Sequence, residues 1–207
     1  MVTLDELVVG DGADAWRACG FTIEDDLCVV GEVRIRFAPA EGRGLTGWSL
    51  RGLDTTELDG LPTTRSERPL PEAPPSHPNG IAALDHVVAI SSNLDRTVAA
   101  LEAAGLDLRR VREEPTRAGA PRQAFFRIGE SILEAVQEPA EATERAGGDR
   151  PAFFWGLAFV APDLDAAVAF LGERASEPRD AVQPGRRIAT LRRSAGLSLP
   201  VAIMTPR

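Results

Sequence analysis

The sequence predicts an α+β fold of repeated βαβββ modules forming a curved mixed sheet, with a degenerate module at the N-terminus. Three observations predict it. A strand followed by an amphipathic helix occurs twice, 70 residues apart. Each copy is followed by three further strand candidates. A shortened version of the unit stands near the N-terminus, ahead of a proline-rich stretch. The expected organisation is a degenerate module over 1–60, a linker over 61–80 and a paired βαβββ domain over 81–207.

In the N-terminal part, Leu4 to Val9 reads as a strand matching Leu84 to Ala89, and a short helix follows from Ala13 to Cys19. Gly31-Glu32 parallels Gly129-Glu130. Gly47-Trp48-Ser49-Leu50 echoes Trp155-Gly156-Leu157, as if a fourth unit began there and ran into the linker. The linker carries prolines at 62, 69, 71, 74, 75 and 78 and is expected to be extended, with His77 in solvent.

In the first full copy, Leu84 to Ile90 is a β-branched apolar run. Asn93 then caps a helix on which Leu94, Val98 and Leu101 share one face, and Gly105 ends it. Strands are expected at Leu106 to Glu113, Gln123 to Ile128 and Ile132 to Gln137. In the second copy, Phe154 to Val160 is the strand, Asp163 the cap, and Leu164, Val168 and Leu171 the helix face, with Gly172 at the end. Its later strands are expected at Ala175 to Val182, Arg187 to Arg192 and Leu199 to Met204.

Composition excludes several chemistries. All 23 basic residues are arginine, so a Schiff base, a pyridoxal phosphate anchor and a phosphate-loop lysine are ruled out. The net charge of −8 argues against a nucleic-acid partner, which needs a basic surface. No apolar run is long enough to cross a bilayer and the first residues lack a signal-peptide pattern, so a cytoplasmic protein is expected, with no membrane partner. Cys19 and Cys28 fit neither a redox pair nor a zinc knuckle. The two histidines exclude HExxH chemistry, and no dinucleotide-binding loop follows a strand.

Paired βαβββ units with Leu84-Asp85-His86-Val87-Val88 on the first strand and Ile132-Leu133-Glu134-Ala135-Val136 on the fourth resemble the vicinal oxygen chelate superfamily, the glyoxalase-like and bleomycin-resistance-like proteins. The resemblance implies a bowl around one divalent metal, with ligands from the first and fourth strands of each unit. It places His86 and Glu134 as ligands and as the catalytic acid and base; the matching positions of the second copy are Gly156 and Val201, neither a ligand. A metal-dependent lyase, isomerase or epimerase acting beside a carbonyl is one implied function. A non-catalytic protein that binds or sequesters a small molecule is the other, and both readings stay open.

Around His86 and Glu134, the candidate substrate-binding residues are Arg122, Gln123, Phe125, Arg127, Trp155, Gln183, Arg186 and Arg187. Arginines at the bowl would clamp an anionic ligand by bidentate hydrogen bonds. On a solvated strand face they would do no more than protect a sheet edge. The positions matching His86 and Glu134 in the N-terminal unit are Glu6 and Arg36, opposite charges able to pair directly. One chain already carries two full units, so it is expected to act as a monomer or a homodimer with a small-molecule ligand.

Overall fold

The computed structural model describes residues 1–72, 74–115 and 119–207. In chain order its elements are β1 (Thr3–Val9), α1 (Ala13–Ala18), β2 (Ile23–Glu24), β3 (Leu27–Val30), β4 (Val33–Phe37), β5 (Leu45–Arg51), β6 (Thr63–Arg65), β7 (Ala83–Ser91), α2 (Leu94–Ala103), β8 (Asp107–Arg112), β9 (Gln123–Ile128), β10 (Ser131–Gln137), α3 (Ala140–Arg145), β11 (Phe153–Val160), α4 (Leu164–Leu171), β12 (Arg179–Asp180), β13 (Arg187–Thr190) and β14 (Val201–Met204). Strands β1–β6 belong to one mixed sheet and β7–β14 to a second, an α+β fold. No helix among the described residues is long and apolar enough to cross a membrane.

Packing divides the chain into two compact units. The first comprises Met1–Asp5, Gly47–Arg68 and His86–Trp155; the second comprises Glu6–Thr46, Pro69–Asp85 and Gly156–Arg207. Each takes residues from both sides of the proline-rich stretch. That stretch is not all linker, because Thr63–Arg65 forms β6, parallel to β5 with Trp48 opposite Thr63 and Leu50 opposite Arg65. The two strands pair in parallel, as the first and fourth strands of the first full copy do.

In the first unit the strands run in the order β7-β10-β9-β8, the first strand beside the fourth. The Asn93 side chain accepts from Arg96 N at 3.1 Å and starts α2, which buries Leu94, Thr97 and Leu101. Gly105 ends it with φ +88°, a conformation that side chains with a Cβ rarely adopt. Beneath α2 lie Val87, Ala89, Ala124, Phe126, Ile128, Leu133 and Ala135, all buried. Burial of each large side chain here contributes about 1.5–3 kcal/mol. Asp59 fixes the helix by accepting from Arg96 Nε at 2.7 Å and from the Thr97 hydroxyl.

The second unit contains the same strand order twice, β1-β4-β3-β2 and β11-β14-β13-β12. Asp163 caps α4 by accepting from Ala166 N at 2.9 Å, and α4 buries Leu164, Ala167 and Leu171. These are the α2 positions shifted by 70. The β2–β3 hairpin turns at Asp25 and Asp26, both with positive φ, which suits the short acidic side chains of a tight reversal. Trp16 anchors this core, 5.0 Å from Phe21, 5.4 Å from Phe37 and 6.3 Å from Phe159 between ring centroids. Its indole N–H donates to Asp11 at 2.9 Å.

Three expectations need correcting. The strand expected over Ala175 to Val182 is reduced to Arg179–Asp180 and a single bridge at Ala175, because Pro178 offers no N–H to a ladder. The last strand begins at Val201, after Pro200, for the same reason. His77 is buried rather than solvated: Thr22 N donates to its Nδ1 at 3.1 Å, and its Nε2 lies 3.1 Å from the Val29 carbonyl. Nearby, Asn79 donates to the Cys19 carbonyl at 2.9 Å. The end of the proline-rich stretch is therefore anchored, a tertiary effect that composition does not report.

Candidate functional site

Alternation along β7–β10 sends one set of side chains beneath α2 and the other onto the opposite, open face. Register then arranges the open face in rows. Arg110, Phe125, Glu134 and Val88 form the middle row across β8, β9, β10 and β7. Arg112, Gln123, Val136 and Ile90 form the row on one side, and Arg127, Ile132 and His86 the row on the other.

Glu134 is the polar centre of this face. Gln123 Nε2 donates to its Oε1, and His86 Nε2 lies 3.5 Å from its Oε2. Both side chains of the His–Glu pair are 17% exposed. The carboxylate is partnered yet reachable, as a ligand-contacting group must be.

The modules differ at these positions. In the N-terminal module Glu6 lies opposite Arg34, as His86 lies opposite Ile132, so Arg36 stands where Glu134 does. Arg36 Nε pairs with Glu6 Oε1 at 3.3 Å, the pairing the sequence suggests. In the last module Ala158 lies opposite Ala202, as Val88 lies opposite Glu134. The pairing thus moves the fourth-strand position from Val201 to Ala202. At the first-strand position, Gly156, a Cβ would stand 2.7 Å from the Pro200 carbonyl oxygen.

A catalytic divalent ion generally takes about three protein ligands. His86 and Glu134 supply two, and Gly156 and Ala202 supply none. No three His, Cys, Asp or Glu side chains among the described residues converge closely enough to hold a metal ion. The donor set does not fit the ion that the resemblance implies.

The remaining candidates separate. Gln123, Phe125 and Arg127 share the open face, with Arg127 Nε donating to the Gly129 carbonyl at 2.8 Å. Arg122 points the other way and ties β9 to α2, holding Glu113 at 2.6 Å and Asp95 at 2.9 Å; hydrogen bonds from Glu113 first and Asp95 second push its pKa up. In the second unit Arg187 does the same, gripping Asp165 on α4 at 2.8 and 3.0 Å. Asp95 and Asp165 are equivalent residues of the repeat, so these two arginines are duplicated braces. Trp155 is 49% exposed and alternates with Gly156, which leaves it on the strand face opposite the ligand-type position.

Arg186 is only 5% exposed and Asp85 3%, on side chains 2.8 Å apart. Its second amino group reaches Asp85 at 3.3 Å and Gln183 Oε1 at 2.6 Å, and Nε and Nη2 donate to the Thr205 carbonyl at 2.9 and 2.6 Å. Every nitrogen of the guanidinium is engaged. Arg186 and Gln183 therefore build the fold of the second unit, with Arg207 Nε 3.6 Å from the same Asp85.

Sequence reasoning missed Asp85. The signal was present in Leu4-Asp5-Glu6 and Leu84-Asp85-His86, where the aspartate precedes the ligand-type position in both modules. Asp5 is also fully buried, and Arg51 and Arg68 pair with it. Burial alone raises its pKa, but hydrogen bonds from Ser66 and Arg68 and the Arg51 charge bring it below the usual carboxylate value.

Among solved structures, the chain is similar to a xylose isomerase-like TIM barrel/4-hydroxyphenylpyruvate dioxygenase fusion protein, with TM-score 0.59 and 14% identity over 98% of this chain and 49% of that one. It also matches methylmalonyl-CoA epimerase from Mycobacterium tuberculosis, with TM-score 0.49 and 18% identity over 62% of this chain and 90% of that one. A variant of the Streptomyces coelicolor methylmalonyl-CoA epimerase in complex with 2-nitronate-propionyl-CoA matches with TM-score 0.48 and 23% identity over 60% of this chain and 94% of that one. No protein-family model and no curated protein matches the sequence. With module topology and structural likeness in agreement, the protein has the glyoxalase-like fold of the vicinal oxygen chelate superfamily.

Proposed function

We propose that the protein binds a small organic anion on the open face of β7–β10. One observation carries the reading: an apolar strip of Val88 and the half-buried Ile90, Phe125, Ile132 and Val136 surrounds one fixed carboxylate, Glu134, with arginines on the same face. Small-molecule sites have this composition, an apolar lining with a few placed polar groups. Glu134 and His86 meet the polar end of the ligand, with Gln123 holding the carboxylate. Binding without turnover is the leading function, because only one of the two copies keeps ligand-type side chains.

A second reading is a lyase, isomerase or epimerase acting beside a carbonyl, with Glu134 as base and His86 as acid. The 3.5 Å approach of His86 to Glu134 favours it, since an acid-type and a base-type side chain then stand side by side on the open face.

A thermal-shift screen against 2-oxoaldehydes, dicarboxylates and acyl-CoA esters tests the binding reading, because a ligand of the folded state raises its stability. A hit that is lost in Phe125→Ala is expected; no stabilisation by any class refutes it. Proton exchange beside the carbonyl of a bound ligand, followed by NMR in deuterium oxide, tests the other: exchange that is lost in Glu134→Ala supports it, and no exchange with any bound ligand refutes it.

A further inference from the structure

Strand β8 contains a bulge. Leu108 lies opposite Phe126, but the next pair is Arg110 with Phe125, so Arg109 is an inserted residue. Without the insertion, Arg109 would stand opposite Phe125 and Arg110 opposite Ala124, beneath α2. The bulge instead keeps both Leu108 and Val111 on the helix side and turns Arg110 and Arg112 onto the open face beside Phe125 and Gln123. Re-aiming of side chains is what bulges do next to binding sites.

Pairing among the arginines of β8 and β9 and their flanks singles out the same residues. Arg109 holds Asp107 at 3.0 Å, Arg122 holds Glu113 and Asp95, and Arg127 reaches Glu130 at 3.3 Å. Among the described residues Arg112 makes only one ion contact, a long one of 3.8 Å to the exposed Glu114. Arg110 has no ion-pair partner among the described residues. In a chain with eight more acidic than basic residues, an arginine left over on this face is notable for its chemistry.

We propose that Arg110 and Arg112 form an oxyanion subsite that sets the orientation and class of the ligand; this rests on the open face being the binding site. Arg110 is two strand spacings from Glu134, roughly 10 Å between backbones, with the Phe125 ring in the row between them. The negative Glu134 repels an anionic group while the guanidinium groups attract it. The ligand therefore lies across Phe125 with a neutral carbonyl or hydroxyl end at His86 and Glu134 and a carboxylate or phosphate at Arg110 and Arg112. Bidentate contact with a planar guanidinium suits either oxyanion.

Ligand-observed NMR titration of the full chain with 4-oxopentanoate, dihydroxyacetone phosphate and the uncharged 4-oxopentanamide tests this. The wild type should bind one or both anions at least tenfold more tightly than the amide, and which anion it prefers identifies the oxyanion. Arg110→Glu keeps a charge on the edge strand, so a role in blunting that edge survives, but anion binding should fall at least tenfold while the amide changes less than twofold. Arg110→Gln should lose the same preference, and Arg109→Glu should keep it. Equal binding of anions and amide, or unchanged anion binding in both Arg110 variants, overturns the subsite. If Phe125→Ala still weakens every probe, the open-face reading survives that result. No binding of any probe to the wild type overturns the subsite, while the open-face reading stands or falls on the thermal-shift screen.

Discussion

Replacing Arg186 by methionine removes the main partner of a buried carboxylate. Asp85 would keep the Arg207 contact, at 3.6 Å and from a side chain that is half in solvent. Breaking a buried pair from one side costs about 3–5 kcal/mol, and the remaining arginine puts this case at the lower end, about 3 kcal/mol. For a chain of this length each kcal/mol moves Tm by about 2–4 °C, so a fall of about 6–12 °C is expected by calorimetry at pH 7. The double variant Asp85→Leu/Arg186→Met should recover at least half of that loss, because an apolar pair leaves no stranded charge. Ligand binding on the first unit should stay within twofold of wild type. A loss below about 1 kcal/mol, or a double variant no better than the single one, would refute the account of Arg186 as a fully engaged structural residue.

Other outcomes follow from the same structure. Burial first, opposed by the Val29 carbonyl, lowers the His77 pKa below its ordinary 6.5, so the unfolded chain takes up a proton that the folded one resists. Stability is then full above about pH 6.5 and declines as pH falls below it, by at most about 1.4 kcal/mol per pH unit from this group; His77→Gln should flatten that part of a denaturant-derived profile. Asp5, with its lowered pKa, contributes stability present above the ordinary value of 3.8 and lost as pH falls through the folded pKa. Asp5→Asn should remove that acid-side step in the same series. Gly156→His should not create a metal site but should destabilise by about 1–3 kcal/mol, since the new Cβ meets the Pro200 carbonyl; thermal melts with and without added cobalt check both halves. Arg122→Ala should leave ligand affinity within twofold by titration, because its guanidinium braces β9 to α2.

The duplicated elements were legible because their signals are local. Caps at Asn93 and Asp163, helix faces at Leu94, Leu101, Leu164 and Leu171, and the strand Gln123–Ile128 stand where the sequence puts them. What failed was interrupted by residues whose effect depends on a neighbouring strand: Pro178 and Pro200 shortened two strands, and of the short strands β2–β4 only the position of Arg36 on β4 was read, by its alignment with Glu134. At the site, alternation correctly put Gln123, Phe125 and Arg127 on one face. It could not tell a brace from a binder, because Arg122, Arg186 and Arg187 differ from a free arginine only in which carboxylate lies opposite.

By itself the sequence determined the repeat, the α+β class, the exclusion of lysine chemistry and the pair of polar residues, His86 and Glu134, on the first and fourth strands of one copy. Those properties are carried by spacing and side-chain type. Tertiary structure decided the bulge that turns Arg110 and Arg112 outward, the burial of Asp5, Asp85 and His77, and the register that sets Ala202 in the position of Glu134. These depend on which strand pairs with which and how far it has slipped. A shift of one residue reverses the face of every side chain beyond it, and no local pattern records that shift.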